Sequence, residues 1–150
     1  METTEIRPEK LFSRGNPNIS RKKKIVFKDK KGGESRYEAS NPDTKRVCEI
    51  TIDGMMFKEE NKKCDYGLWV EESNRMILIE LKGCNIEYAF KQIETTYNLF
   101  KIKYEKEKFH YSFRIVASRF GAPNLQERLK QYKKKGRDIQ VKTKLLRERI

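Results

Sequence analysis

Asp65 and the run Glu80-Leu81-Lys82 are the residues here whose types and spacing could do chemistry. Two carboxylates hold a hard divalent cation, and a nearby ammonium orients or deprotonates a water. Together they form the minimum kit for metal-assisted hydrolysis of a phosphodiester. The sequence between them reads as a β-hairpin: a strand from Asp65 to Val70, a turn over Glu71-Glu72-Ser73-Asn74-Arg75, and a strand from Met76 to Lys82. Pairing Val70 with Met76 sets Asp65 opposite Leu81, one position from both Glu80 and Lys82. Alternation then puts Met76, Leu78, Glu80 and Lys82 on one face, and Ile77, Ile79 and Leu81 on the other. Both faces are apolar until Glu80, as in a central strand covered on both sides. A carboxylate and a lysine at the end of such a strand need partners or a metal to offset desolvation. A plain Glu80–Lys82 surface pair is the competing reading.

Other elements must hold this hairpin. Val47 to Asp53 alternates as a strand ending at the Asp53-Gly54 turn signal. After the hairpin, Asn85 is placed to cap a helix on which Ile86, Ala89, Ile93, Tyr97, Phe100 and Tyr104 recur at helical spacing. Phe109 to Ala117 reads as a buried strand. Leu125, Leu129 and Tyr132 mark a short helix ended by Gly136, and Ile139 to Leu145 a last strand. Upstream, Ile25-Val26-Phe27 and Arg36–Ser40 are short strand candidates. The order β-β-β-α-β-α-β implies an α/β fold, a central mixed sheet with helices packed on its faces. Residues 1–20, with Pro8, Gly15 and Pro17, read as a flexible arm carrying a helical turn near Glu9–Phe12. Residues 21–150 read as a single domain with a basic tail.

The chain of 150 residues carries a net charge of +13, which favours a polyanionic partner through counterion release. The excess is concentrated in Arg21-Lys22-Lys23-Lys24 with Lys28, Lys30 and Lys31, and in Lys130, Lys133, Lys134, Lys135 and Arg137. The expected partner is nucleic acid, DNA before RNA. No strongly amphipathic basic helix with Trp or Phe anchors supports a membrane surface. No apolar run approaches the roughly 20 residues that span a bilayer, and no hydrophobic signal segment opens the chain, so a cytoplasmic protein is expected. Cys48, Cys64 and Cys84 form no CxxC pair. With His110 the sole histidine, they read as reduced core cysteines and not as a zinc site. His110 itself reads as structural. No P-loop and no Gly-x-Ser-x-Gly motif is present.

Cys64-Asp65-Tyr66-Gly67-Leu68, then Ile77-Leu78-Ile79-Glu80-Leu81-Lys82-Gly83, then Ala89 and Gln92-Ile93, resembles the PD-(D/E)xK nuclease superfamily. That group includes restriction endonucleases, archaeal-type Holliday junction resolvases and the nuclease domains of recombination exonucleases. The resemblance spans roughly Glu49 to Phe120. It implies a restriction-endonuclease-like core with the site on the central hairpin. Asp65, Glu80 and the Leu81 carbonyl would ligate Mg²⁺ or Mn²⁺. Lys82 would position or activate the attacking water. Gln92 would bond site water or a phosphate. An upstream acid often completes that site. Glu49 is the nearest convenient one, although it reads as strand, with Glu34, Glu38 and Glu59 as further choices. Two departures stand out: Cys64 replaces the usual Pro, and Thr95 stands where exonuclease relatives carry Tyr, with Tyr97 two further on. The expectation is a metal-dependent deoxyribonuclease with a role in defence, recombination or repair, acting as a homodimer or within a larger complex. The alternative is an inactive nuclease-fold protein that binds nucleic acid or assembles a complex.

Overall fold

The structure, a computed structural model, describes residues 7–57, 63–82, 85–119 and 124–150, with the side chain of Lys82 outside the description. It is an α/β fold in three layers. The middle layer is a mixed six-stranded sheet of order β1-β4-β5-β6-β7-β8. Its strands are β1 (Asn18–Ser20), β4 (Val47–Thr51), β5 (Tyr66–Val70), β6 (Arg75–Lys82), β7 (His110–Ala117) and β8 (Asp138–Thr143). A second sheet of β2 (Lys24–Lys28), β3 (Arg36–Ser40) and β9 (Leu145–Arg149) lies over one face. Helices α2 (Ile86–Lys103) and α3 (Leu125–Lys134) cover the other.

Strands β4, β5 and β6 form an antiparallel meander, and β7 and β8 continue it in parallel. Parallel neighbours need crossovers, and right-handed crossovers advancing in one direction across a sheet set their helices on the same face. That is why α2 and α3 share a layer. The expectation of helices on both faces fails because the second face is taken by β2, β3 and β9. Their inward residues Ile25, Phe27, Tyr37, Ala39 and Leu146 join Leu68, Val70, Ile77, Ile79 and Leu81 in one buried cluster. On the helical side, Met76 and Leu78 pack with Ile86, Ala89, Phe90, Ile93 and Phe100. Strand β6 is therefore apolar on both faces, as its sequence requires. Helix α2 starts as expected, with the Asn85 side chain accepting the Tyr88 N–H at 3.0 Å.

Two other segments differ from expectation. The stretch taken as an arm is packed over its described part: α1 (Pro8–Leu11) leads into Phe12, which is fully buried among Trp69, Tyr104 and Phe109. Strand β1 then borders β4. The last strand is two strands, because Lys144 adopts a left-handed backbone conformation (φ 63°) between β8 and β9. What read as a basic tail is β9, paired in parallel with β3. Among the described residues, no helix is long and apolar enough to cross a membrane. Cys48 and Cys64 are free and buried, and burial pushes the Cys48 thiol up to about 12. Cys84 lies outside the described residues.

Candidate functional site

The hairpin register is one step from the expected one. Val70 pairs with Arg75 and Tyr66 with Ile79, so continuing the ladder brings Asp65 to Glu80. The cause is the turn. It contains four residues, closed by the Asn74 N–H donating to Glu71 O at 3.0 Å with Asn74 in the left-handed region (φ 50°). Asn74 is held there by the Trp69 indole N–H at 3.0 Å and by its own amide donating to Glu107 O.

The corrected register joins the two acids. The Asp65 N–H donates to Glu80 Oε1 at 3.1 Å, and the Leu81 N–H donates to Asp65 Oδ2 at 2.9 Å. Each carboxylate is thus held by the other strand's backbone. The Asp65 carbonyl in turn accepts the Ile52 N–H at 3.0 Å, tying the site to the end of β4. Glu80 is 1% exposed, and Cys64 beside it is fully buried. Burial, then the charge of Glu80, push the Cys64 thiol well above its ordinary range, so it stays neutral. Burial also raises the Asp65 carboxyl. The Leu81 N–H and Lys30 oppose that rise, and Asp53 and Asp29 add to it. Sequence reading missed these last three residues. Asp53 was read only as a turn signal, and Asp29 and Lys30 come from the end of β2, in the other sheet. The signal that could have found Asp53 is its place at the end of the strand that borders β5.

Helix α2 braces the site from the apolar side. Thr96 Oγ1 accepts the Cys64 N–H at 2.8 Å and donates to Gln92 O at 2.8 Å. Gln92 is buried, and its Nε2 donates to Lys63 O at 3.4 Å. Among the described residues its Oε1 has no hydrogen-bond partner. Because Lys63 O can only accept, the amide orientation is fixed, and the open end of Gln92 is an acceptor. It suits a water or an ammonium, not a phosphate oxygen. This narrows the sequence expectation for Gln92.

The remaining expected residues are placed as follows. Leu81 pairs with Val116 and Lys82 with Ala117 along β6–β7, and the Lys82 side chain lies outside the described residues. Glu49 is not brought to the site. It faces the three-stranded sheet, bonded to Lys22 at 2.9 Å and Asn18 at 3.1 Å. It pairs with Leu68, three residues from Asp65, or roughly 10 Å along the strand. Glu38 is held by Arg147 at 2.8 Å on the outer face of the second sheet. Glu34 is exposed, and Glu59 is outside the described residues. His110 pairs with Arg75, at the far end of β6 from Glu80. Tyr97 belongs to the core, edge-on to Tyr111 and Phe113.

Among the described residues, no group of three or more His, Cys, Asp or Glu side chains is set to hold a metal. Two carboxylates, each bonded to the backbone of the other's strand, nevertheless suit Mg²⁺, which typically takes one or two protein carboxylates and completes its shell with water and substrate phosphates. The raised Asp65 carboxyl and Gln92 Oε1, unpartnered among the described residues, fit the same chemistry, since a half-buried anion wants a cation and a buried acceptor wants a water. No family model, no curated protein and no solved structure matches the chain.

Proposed function

We propose that this protein is a metal-dependent nuclease that hydrolyses phosphodiester bonds in DNA. The observation that carries the reading is the joining of Asp65 and Glu80 at the open end of the β5–β6 hairpin, with Lys82 two residues further along β6. The meander β4-β5-β6, the helix α2 and the parallel strand β7 are compatible with the restriction-endonuclease-like core that the sequence resembles.

In this reading Asp65, Glu80 and the Leu81 carbonyl hold Mg²⁺ or Mn²⁺. When bound, the ion supplies charge neutralisation at the scissile phosphate and acidifies a water. Lys82 orients the attacking water and offsets charge growing on the phosphate. Gln92 accepts a hydrogen bond from that water and fixes its direction. Neutral Cys64, standing where the family carries Pro, adds no competing charge beside Glu80.

The test is a cleavage panel of linear, circular, single-stranded and four-way-junction DNA, with RNA alongside, with and without Mn²⁺. Glu80→Gln and Lys82→Ala are each expected to slow cutting by about 100-fold or more while leaving the circular dichroism spectrum unchanged. Cutting that survives both substitutions, or that is indifferent to chelator, rules the assignment out. Binding without cutting supports the inactive alternative.

A further inference from the structure

The outer face of the second sheet carries more positive charge than its one acid balances. Strand alternation and register set nine residues there in three rows: Lys24–Ser40–Arg149, Val26–Glu38–Arg147 and Lys28–Arg36–Leu145. Five are cations and one is an acid. Lys24, Arg147 and Arg149 have side chains 63%, 67% and 68% exposed. Glu38 sits at the centre, with Arg147 at 2.8 Å, Arg36 at 3.3 Å and Lys24 at 3.7 Å, so it organises the cations without neutralising them. Lys28 and Arg36 stand directly opposite one another across β2 and β3, a like-charge pair that costs stability. Arg149 reaches Asp43 at the rim at 3.3 Å, an exposed pair of little strength. A depression of about 480 Å³ lined by Lys23, Lys24, Glu38, Arg147 and Arg149 deepens one end of this face.

The other end leads to the candidate site. The Tyr66 hydroxyl donates to Lys28 O at 3.2 Å, its ring stacks on Phe27 at 4.8 Å, and the Lys30 ammonium lies 5.2 Å from that ring. Tyr66 is the residue after Asp65. The face spans roughly 13 Å from Lys24 to Lys28, a length over which a DNA duplex presents about eight phosphates. Its two apolar members, Val26 and Leu145, are half-buried and give a lipid surface little to anchor on.

We infer that the outer face of the β2-β3-β9 sheet is the surface on which the phosphate backbone of duplex DNA docks, leading the duplex toward Asp65 and Glu80. This rests on the nucleic-acid part of the reading above. The second basic group, Lys130, Lys133 and Lys134 on α3, lies in the helical layer beyond the opposite face of the central sheet. The two groups therefore do not act as one surface, although in sequence they form one excess.

The experiment is fluorescence anisotropy of a short labelled DNA duplex in EDTA, titrated at several salt concentrations. Lys24→Gln/Arg147→Gln/Arg149→Gln is compared with Lys130→Gln/Lys133→Gln/Lys134→Gln, which removes the same charge elsewhere. The first is expected to weaken binding by about tenfold or more and to flatten the slope of log affinity against log salt by roughly 3. The second is expected to stay within about twofold of the parent. Lys28→Gln/Arg149→Gln leaves the partners of Glu38 in place and is expected to flatten the slope by roughly 2, so the inference stays testable if the triple variant misfolds. Equal losses from the two triples, or no loss from the first, overturn it. So does a result in which the first triple loses binding to phosphatidylserine vesicles while keeping DNA binding. Chelated protein reports binding alone, so a failure to cleave leaves this inference standing, and a failure here leaves the cleavage test intact.

Discussion

Asp65 is where the candidate chemistry can be tested with single atoms changed. Its carboxyl is raised by burial, so the folded chain holds that proton more tightly than the unfolded chain. The ionised form therefore costs stability above its ordinary range near 3.8, and the cost fades as pH falls and the group protonates. A cation bound to ionised Asp65 and Glu80 offsets that cost. Mn²⁺ at a hundred times its dissociation constant is expected to stabilise the fold by about 2.7 kcal/mol, a melting shift of roughly 5–10 °C near neutral pH. The shift should shrink in mildly acidic buffer, where protons compete for the same oxygens. Asp65→Asn keeps an acceptor for the Leu81 N–H, so the hairpin should survive while the Mn²⁺ shift disappears. Scanning calorimetry of parent and variant at both pH values decides it. An equal shift in the variant would place the ion elsewhere.

At the scale of elements, the site depends on how α2 and the N-terminal segment grip the hairpin. Thr96→Val keeps the shape but leaves the buried Cys64 N–H without its acceptor, at a cost of about 1–3 kcal/mol, whereas Thr96→Ser restores the oxygen. If Thr96 positions Asp65 through Cys64, Mn²⁺ affinity falls in Thr96→Val and recovers in Thr96→Ser. A pure stability loss with unchanged affinity limits Thr96 to folding. Gly15 tests the N-terminal segment. A Cβ there would lie 2.4 Å from Ile50 Cγ2 and 2.5 Å from Met56 Sδ, and the branched Ile50 has little freedom to give way. Gly15→Ala is expected to lower stability by about 1–3 kcal/mol in urea, a loss that a loose arm would not show. These grips explain what the sequence made legible. Strand β6 and helix α2 announce themselves through local periodicity, Glu80 and Gln92 ride on them, and Asp65 stands immediately before the partner strand β5. The register of the hairpin hangs on Asn74, whose left-handed backbone is fixed by Trp69 and Glu107, partners that no local pattern names. Strand β1 is three residues long, too short to alternate visibly. The pairing of β3 with β9 joins segments more than a hundred residues apart. The placement of Asp29 and Lys30 near Asp65 follows from that second sheet, so it too was out of reach.

Across the whole molecule, the two sheets are clamped by a partly buried ionic network that sequence reading missed altogether. Arg114 of β7 is 1% exposed, although it sits in a strand that otherwise reads as core. Its guanidinium donates to Glu148 of β9 at 2.8 and 3.1 Å and to Asp138 of β8 at 2.9 Å. Tyr37 of β3 donates to Glu148 at 2.8 Å, and Ser112 to Asp138 at 2.8 Å, so the network touches both sheets. Burial by itself would raise the Glu148 carboxyl, but the hydrogen bond and charge of Arg114, with the Tyr37 hydroxyl, outweigh it and hold the group below its ordinary 4.5. Asp138 is likewise lowered, burial being outweighed by Arg114 and Ser112. A carboxyl that titrates lower in the folded state contributes stability that is present above its unfolded value and lost as pH falls through the folded one. Acid should therefore loosen the second sheet from the first, and with it the basic face that β2, β3 and β9 present. Arg114→Met leaves Glu148 with Arg75, at 3.3 Å, as its remaining counter-charge, and losing the Arg114 hydrogen bonds is expected to cost about 1–3 kcal/mol. Glu148→Gln removes the titrating group, so its unfolding midpoint should fall less steeply with acid than the parent's. Urea midpoints measured across the acid range test both, and parallel pH profiles for parent and Glu148→Gln would show that the clamp carries no acid-dependent stability.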